Sequence, residues 1–464
     1  MNTSAGRSGA VIGAILCLTP LVPADTRWAK SYGGTSDDVG LAISQIADGG
    51  FVVAGYAIRQ GDPDDDLWLA RINPSGGVKW QRYYDVGAWD DIANDVQPTV
   101  DGGYIVAGVT TNYRAGDSYE NKDFLVIKTD ARGVVTWWRA YGGNYFDSAR
   151  AVHQTRDGGY IVIGSSASSL NGSTDVSVLK LDSAGGIEWW KTYGGWTSDD
   201  GKDVVITSDS GYLVAADTKS FGSGQSDVWL LKLKSTGAVA WQKAYGGSQL
   251  DLGMRIVPSV DGNYLLAGLT ASFGAGLYDG WIVKVDSNGV IVWQKAYGTI
   301  DNNAFLGIAA SSDGGAVPVG YTYLPSGRSY LGQQIWGMKI DSTGVVIWQN
   351  AYGGGLNDSA YQAAGMSKGG FAITGSTRSY GNGNTDAILL KLDPAGEIGA
   401  SCTNASPPFY QSVESTVTTT KAKVKTTKAT VKNMNATITD VEGETGKRKG
   451  STTFTICSGT SRRR

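Results

Sequence analysis

The segment DSNGVIVWQKAYG, residues 286–298, decides the fold because close variants of it recur along most of the chain. Its tryptophan, basic residue and tyrosine form a Trp-x-(Lys/Arg)-x-Tyr unit that is present seven times, with Asn350 in the basic position of the last copy. The tyrosines of the seven copies, which follow one another at nearly regular intervals, are Tyr32, Tyr84, Tyr141, Tyr193, Tyr245, Tyr297 and Tyr352. A period of about 50 residues is typical of proteins in which every repeat forms one structural unit.

Each copy contains four short strands, which we label a to d, separated by glycine and aspartate turns. In the fifth copy strand a ends at the turn 261–263, strand b is Tyr264–Gly268, strand c is Asp279–Asp286 and strand d is Val290–Trp293. Four antiparallel strands per repeat form one blade of a β-propeller, and a closed ring of blades leaves no bare terminal sheet, as a solenoid would. The sequence therefore predicts an all-β, seven-bladed β-propeller over residues 25–400.

The chain offers eight places for strand d but only seven sets of strands a, b and c. Trp28 precedes the first strand a, whereas Ala400 stands where the last tryptophan would fall. We therefore expect residues 27–32 to supply the outer strand of the blade built from residues 359–393. The same interpretation expects Trp28 not to pack against the blade of residues 39–83.

The run from Asp286 to Trp293, with a tryptophan four residues after the turn glycine, resembles the tryptophan-docking repeat of quinoprotein-like (PQQ-like) propellers. The fuller W-x-K-x-YGG unit is similar to repeats of secreted bacterial and archaeal propeller proteins. The resemblance covers residues 26–398 and implies the fold. Quinoprotein dehydrogenases use a calcium-bound quinone that is commonly covered by a disulfide of adjacent cysteines. Because this chain has no adjacent cysteines, and none inside the propeller, we expect no quinone. No other organic cofactor is predicted.

Residues 1–24 predict an export signal, since an uncharged stretch follows Arg7 and small residues precede a cleavage point after Ala24. No later segment is long and apolar enough to cross a membrane. The expected location is therefore extracellular or in the cell envelope, and the expected form is a monomer. Removal of Cys17 with the signal leaves Cys402 and Cys457, which we expect to form a disulfide in an oxidising compartment.

The C-terminal segment, residues 401–464, differs from the rest in charge and pattern. It holds 11 basic and 4 acidic residues, against 29 basic and 39 acidic residues in the remainder. Pairs of β-branched or small residues recur every seven positions at i and i+2, which favours threonine-rich extended strands over a coiled coil. Its basic charge predicts either folding onto the acidic body or contact with anionic envelope polymers. No nucleic-acid-binding module is recognisable.

Candidates for catalysis are few. His153 is the only histidine and lies among apolar residues, so we expect it to pack in the structure. Paired carboxylates could support a carbohydrate-active hydrolase or lyase. Two rings of aspartates recur, Asp38, Asp90, Asp147, Asp199, Asp251 and Asp358, and Asp66, Asp123, Asp175, Asp227, Asp279 and Asp386. A carboxylate repeated in nearly every blade is typical of turn stabilisation, so we expect both rings to be structural.

One denser acidic cluster, Asp62, Asp64 and Asp65, has the oxygen ligands that calcium prefers. A solvated acidic loop is the favoured interpretation of this cluster, and a calcium site is the alternative.

Departures from the repeat indicate a binding face. The connection from the end of strand b to the start of strand c has the same length in five copies, as from Gly268 to Asp279 in the fifth. It is longer in copy two, from Gly108 to Asp123, and in copy six, from Gly320 to Gln334. Aromatic and arginine side chains on loops above a rigid scaffold are typical of binding surfaces. The predicted ligand-binding residues are Trp89, Tyr113, Arg114, Tyr119, Tyr145, Trp196, Tyr323, Arg328 and Tyr330.

The sequence thus predicts a non-catalytic recognition or adhesion protein that binds an extracellular glycan or protein on the face carrying the b–c loops and the d–a links. A carbohydrate-active hydrolase or lyase on the same face and a structural component of the envelope or matrix are the alternatives.

Overall fold

The computed structural model describes residues 27–398, apart from residues 60, 62, 87–88, 113–120, 144, 168–172 and 324–331, together with seven strands of the C-terminal segment. Every regular element in these ranges is a β-strand. Within the same ranges, no helix has the length and hydropathy needed to cross a membrane.

The strands of the repeat region are β1 (Arg27–Gly33), β2 (Asp38–Gln45), β3 (Phe51–Ile58), β4 (Asp65–Ile72), β5 (Val78–Tyr84), β6 (Asp91–Pro98), β7 (Tyr104–Asn112), β8 (Asn121–Thr129), β9 (Val135–Gly142), β10 (Asp147–Gln154), β11 (Tyr160–Ser166), β12 (Asp175–Leu181), β13 (Ile187–Gly194), β14 (Asp199–Ile206), β15 (Tyr212–Thr218), β16 (Asp227–Leu233), β17 (Val239–Gly246), β18 (Asp251–Pro258), β19 (Tyr264–Thr270), β20 (Asp279–Val285), β21 (Ile291–Gly298), β22 (Asn303–Ala310), β23 (Ala316–Thr322), β24 (Gln334–Ile340), β25 (Val346–Tyr352), β26 (Asp358–Gly365), β27 (Phe371–Thr377) and β28 (Asp386–Leu392).

These strands form seven antiparallel blades, which confirms the predicted propeller. Blade 1 consists of β2–β5, and each following set of four strands forms the next blade as far as β25 in blade 6. Blade 7 combines β26, β27 and β28 with β1. In blade 5 the predicted strand boundaries are close to the observed ones, except that strand d, β21, continues to Gly298. Strands b and c of this blade are buried along their whole length, as expected for strands packed between neighbouring blades.

The N-terminal strand closes the ring, as predicted. β1 pairs with β28 in a register that places Trp28 opposite Lys391 and Tyr32 opposite Ala387. The expectation that Trp28 would avoid blade 1 is wrong, because its indole Nε1 donates to the carbonyl of Pro74 in that blade at 3.1 Å. The side chain of a strand d reaches forward to the next blade even though its backbone belongs to its own.

The Trp-x-Lys-x-Tyr unit recurs because it joins neighbouring blades. The tyrosine hydroxyl of each blade donates to a glycine carbonyl in the c–d turn of the next blade; the acceptors in chain order are Gly76, Gly133, Gly185, Gly237, Gly289, Gly344 and Gly396. These glycines have φ between 68° and 80°, a region that residues with a Cβ rarely adopt. At Gly237 an added Cβ would also lie 3.0 Å from the ring of Trp189. The repeat is therefore a contact between blades as well as a strand signature.

The DGG turns carry a second repeated interaction, within each blade. Asp209 of the a–b turn pairs with Lys232 of strand c at 2.8 Å, and five further blades have the same aspartate with lysine or arginine. Hydrogen bonds from Lys232 and then from Thr207 lower the pKa of Asp209 to about 2. Blade 7 has Lys368 in the aspartate position, and its strand-c Lys391 donates instead to the carbonyl of Pro74 in blade 1.

The C-terminal segment surrounds the propeller. Its strands are β29 (Tyr410–Ser412), β30 (Thr416–Thr419), β31 (Lys423–Thr426), β32 (Thr430–Asn433), β33 (Thr437–Thr439), β34 (Thr445–Gly446) and β35 (Thr452–Gly459). Each pairs with the outer strand d of one blade, in the order 6, 5, 4, 3, 2, 1 and 7. We call these seven strands the belt, and the outer edges of the blades the rim. The prediction of extended strands in this segment is confirmed.

Candidate functional site

The b–c loops and the d–a links lie together on one face of the ring, as the sequence predicted. The amide of Asp251, which follows the link between blades 4 and 5, donates to the carbonyl of Ser226 in the b–c loop of blade 4 at 2.8 Å. Asp38 makes the same bond to Thr385 between blades 7 and 1, also at 2.8 Å. We call this surface the loop face and the opposite one, which carries the a–b and c–d turns, the turn face.

The aspartates that begin strand a hold the loop face together. Asp199 accepts hydrogen bonds from the amide of Gly195 at 2.8 Å, from the hydroxyl of Ser220 at 2.7 Å and from Thr218. Asp251 and Asp358 have equivalent partners in their own blades. Burial raises the pKa of Asp199, against the effect of these hydrogen bonds. This ring is structural, as expected.

The assignment of Asp90 to this ring is wrong. In blade 2 the aspartate that begins strand a and accepts the bond from the d–a link, donated by Val86 at 2.6 Å, is Asp91. The link is longer in this copy, so counting a constant number of residues from the tyrosine lands one position early. Asp90 instead accepts a bond from the amide of Asp65.

The aspartates that begin strand c cap the b–c loops. Asp227 accepts the amides of Ser223 at 2.6 Å and Gly224 at 3.2 Å. Its carboxylate also lies so close to Gly246 that a Cβ there would be 1.7 Å from Oδ1, which accounts for the first glycine of the YGG unit. Asp279 caps its loop in the same way, and burial raises its pKa. This ring is structural as well.

Exposed aromatic side chains are concentrated on the loop face. Among the described residues, the aromatic side chains that are more than about a third exposed are Trp196 at 88 %, Tyr145 at 63 %, Trp89 at 47 %, Phe146 at 42 % and Tyr323 at 37 %. All five lie in d–a links or at the start of a b–c loop. Tyr113, Arg114, Tyr119, Arg328 and Tyr330 lie outside the described residues.

The backbone around these side chains is held in place. Trp196 lies between Gly195 and Thr197, whose amides donate to Asp199 at 2.8 Å and Ser220 at 3.1 Å. The carbonyl of Phe146 accepts the amide of Ala167 from the adjacent b–c loop at 2.7 Å. A large side chain on a restrained link loses less freedom on binding than one on an unrestrained loop.

Three exposed aliphatic residues extend the set and were missed by the sequence analysis. Leu277, Ile300 and Leu356 are exposed on the loop face, in blades 5 to 7, where the d–a links carry no aromatic residue. A signal was present for two of them, since Ile300 and Leu356 each interrupt a stretch of small and polar residues. Exposed apolar side chains are thus present on the loop face in blades 5 to 7 as well as beside the exposed aromatic residues.

An unrepeated carboxylate also lies near the loop face. Asp217 of strand b in blade 4 stands where the other blades have tyrosine, valine, leucine or serine. It is buried, accepts the amide of Gly253 at 2.7 Å and pairs with Lys202 at 3.1 Å. Burial raises its pKa to about 6, with a further contribution from the charge of Asp200, although Lys202 opposes the shift. Asp200, Lys202 and Asp217 line a small cavity of about 220 Å³.

Strand a of blades 2 and 4 supplies two further carboxylates, Asp95 and Asp203, at the same repeat position inside the ring. Each accepts an amide of the following blade, from Val152 at 3.0 Å and from Ile256 at 2.9 Å. These amides lie next to the β-bulge that interrupts every strand a. The two carboxylates therefore satisfy backbone donors between blades, a structural role that the sequence analysis did not foresee.

The centre of the ring is occupied by charged side chains. Arg255 lies 3.8 Å from Asp203 and reaches across to the carbonyl of Asn94 in blade 2 at 3.4 Å. On the turn-face side of this contact lies a cavity of about 1130 Å³, whose walls include Gln97 and His153. His153 is half-buried there, so it lines the channel wall instead of packing fully in the core.

Asp64 and Asp65 lie at the start of strand c in blade 1, and Asp62 lies outside the described residues. Burial, followed by the charges of Asp90, Asp37 and Asp64, raises the pKa of Asp65 to about 6. Across the described ranges, no group of three or more histidine, cysteine, aspartate or glutamate side chains has a metal-binding arrangement.

No protein-family model and no curated sequence matches this chain. Solved structures with a similar course of the backbone include the WD40 β-propeller domain of Doa1, with 13 % identity, coverage of 79 % of this chain and 97 % of that chain, and a TM-score of 0.46. Sqt1 from Chaetomium thermophilum, solved with the N-terminus of a ribosomal protein, has 11 % identity, coverage of 80 % and 100 %, and a TM-score of 0.42. A Bacteroides caccae protein of unknown function has 13 % identity, coverage of 70 % and 93 %, and a TM-score of 0.38.

Proposed function

We propose that this protein is an exported recognition propeller that binds a glycan or a protein on its loop face, without catalysing a reaction. The observation that carries the proposal is the position of the exposed aromatic side chains. All five in the described part of the chain lie on this face, and hydrogen bonds restrain the backbone of the links that carry Trp196 and Phe146.

Aromatic side chains suit both kinds of ligand. Tryptophan and tyrosine supply large contact areas with few rotatable bonds, and they dominate the energetics of many protein interfaces. Their flat apolar faces also complement the C–H surfaces of sugar rings. The ring of exposed side chains on the loop face, from Trp89 round to Leu356, offers such contacts over several blades.

The test begins with a screen of the mature protein against glycan arrays and envelope extracts. A variant with Trp89→Ser, Tyr145→Ser and Trp196→Ser should then bind the best ligand at least tenfold more weakly, which corresponds to about 1.4 kcal/mol. The matched control carries Val100→Ser and Val260→Ser, which remove exposed apolar side chains from the turn face. Equal binding by both variants would show that the loop face is not the binding surface.

Shortening the b–c loops of copies two and six to the length found in the other five copies is an independent arm of the same test. The four strands of each blade are retained, so the variant should fold. Loss of affinity in this variant alone would move the ligand from the d–a links to the long loops.

A carbohydrate-active hydrolase is the second candidate, and Asp217 is the observation that favours it. A carboxyl group with a pKa raised to about 6, near a second acidic residue, has the property that a general acid needs. Both of its oxygens are occupied by Gly253 and Lys202, which favours a structural role. Release of sugar product by the wild type and its loss in Asp217→Asn would establish the hydrolase.

A further inference from the structure

The belt and the rim share one period. The belt residues at positions 410, 417, 424, 431, 438 and 445 pair with Tyr352, Tyr297, Tyr245, Tyr193, Tyr141 and Tyr84 in turn. Every step along the belt is therefore seven residues and advances the chain by one blade. Seven residues of extended chain span at most about 25 Å.

The residues at four consecutive positions of this register are β-branched and apolar. Val417, Val424, Val431 and Ile438 stand opposite the buried tyrosines of blades 5, 4, 3 and 2. β-branched residues favour strands and cross-strand contacts with aromatic residues. The seven-residue period of the C-terminal segment thus has a structural reason, because seven residues of the belt lead from one blade to the next.

Charge does not account for this pairing. The register places belt residues Thr419, Thr426 and Asn433 opposite the basic residues Lys295, Lys243 and Lys191 of the blades. The contacts that repeat are backbone pairs, which any extended chain can make. A strand that adds to an exposed sheet edge in this way is recognised through its backbone and through alternate side chains.

The belt strands on blades 1 to 6 are short. They pair over two to four residues each, whereas β35 pairs with β1 over seven. Because each short pairing contributes little alone, the belt is held by the sum of contacts in a common register. Every blade presents the same outer edge to the belt. A second segment with the same seven-residue period would therefore pair with the same residues of the rim.

We propose that the rim is a peptide-binding surface that recognises extended segments with a β-branched apolar residue at every seventh position. In the folded chain its own belt occupies this surface. The partner that the surface fits is the C-terminal segment of a second copy of this chain, which carries the same residues in the same register. Exchange of belts would then link two copies through the rim, and would leave the loop face unaltered.

The test uses the full chain with the middle of its belt replaced. In this acceptor variant, residues 416–433 become a glycine-serine stretch of equal length, so that blades 5, 4 and 3 lose their fifth strand while β29, β33, β34 and β35 remain. The probe is a labelled peptide of residues 415–434, which is the corresponding segment of a second copy. We expect 1:1 binding to the acceptor variant and none to the wild type, whose rim is occupied.

Two control peptides test the period and the apolar residue separately. In one, a glycine is inserted into each connection between strands, so that the period becomes eight residues. In the other, Val417, Val424 and Val431 are replaced by aspartate. Each should bind at least tenfold more weakly than the native peptide. With a period of eight residues no more than one strand can pair in register, and aspartate in place of valine puts a charge opposite each buried tyrosine. Equal binding of the native and eight-residue peptides, or no binding by a folded acceptor variant, would overturn the proposal.

A second measurement applies if the acceptor variant does not fold. In the wild-type protein, amide hydrogen exchange should be at least tenfold slower within the belt strands than between them, with protection recurring every seven residues from 410 to 446. Adding the native peptide in excess at a temperature just below unfolding should label the rim by exchange with the belt. Uniform rapid exchange along the segment, or protection without any incorporation of the peptide, would contradict the proposal.

Discussion

The hydroxyl of Tyr193 shows how one residue joins two blades. It is buried and donates to the carbonyl of Gly237 in the next blade at 2.6 Å. Tyr193→Phe leaves that carbonyl without this donor, so we expect a loss of about 1–2 kcal/mol in the free energy of unfolding. Chemical denaturation measures it, with Tyr323→Phe on the exposed loop face as the control, for which we expect less than about 0.5 kcal/mol. A loss as large in the control would mean that the buried bond contributes nothing particular.

Asp217 and Asp209 should respond to pH in opposite directions. The pKa of Asp217 is raised to about 6 by burial, so its folded form binds a proton more tightly than the unfolded chain, and its contribution to stability decreases as pH rises from about 4 to 6. The pKa of Asp209 is lowered to about 2, so its contribution is present above about pH 4 and is lost as pH falls towards 2.

Thermal unfolding across pH 2–7 checks both signs. Asp217→Asn keeps an acceptor for the amide of Gly253 and should remove up to about 2 kcal/mol of pH dependence between pH 4 and 6. Asp209→Asn should be less stable than the wild type at pH 6 and should approach it near pH 2. Parallel curves for the wild type and Asp217→Asn would show that Asp217 titrates normally.

Repetition in the sequence predicted the two rings of structural aspartates but not the aspartates outside those rings. Asp90 was assigned to the ring in place of Asp91 because the d–a link before blade 2 is one residue longer than the others. Asp95, Asp203 and Asp217 were not predicted, because each accepts an amide of the next blade that is brought close only when neighbouring blades pack together. Exposure of Trp89, Tyr145 and Trp196 was predictable, since they depart from the pattern in links that the repeat itself locates.

Strands b, c and d of the blades could be predicted from the sequence, whereas the belt could be predicted only in part. The seven-residue spacing indicated extended strands, and these are observed. Their partners could not be predicted, because a short threonine-rich strand has no core of its own and gains its pairing from an edge that exists only in the assembled ring. Uncovered edges invite association with other chains, and a belt along the rim limits this.

For the whole molecule, the count of seven tyrosines gave the number of blades, and the unmatched Trp28 gave the strand that closes the ring. The proposed Cys402–Cys457 disulfide belongs to this scale, because the loop that it would close contains most of the belt. Cys457 lies in β35, opposite Ala29 of β1, and Cys402 lies outside the described residues. The chain-entropy estimate for a loop of this length is about 4 kcal/mol.

Thiol titration of the denatured mature protein tests the disulfide. We expect no free thiol before reduction and two after it, with a lower unfolding temperature for the reduced protein. Cys457→Ser should abolish the difference between reducing and oxidising conditions. Two free thiols in protein purified without reductant from an oxidising compartment would contradict the pairing.

Blade 7 is assembled from three distant stretches of the chain, residues 27–33, 358–392 and 452–459. A ribosome makes the first of these stretches long before the second, with six whole blades between them, and it makes the strand that covers them last. A nascent chain therefore cannot complete this sheet before residue 459 has been made, and a product that stops before residue 452 has an uncovered edge at blade 7. Synthesis of residues 452–459 is in this way a condition for the complete five-stranded sheet of blade 7, whereas β1 and β28 can already close the ring before it.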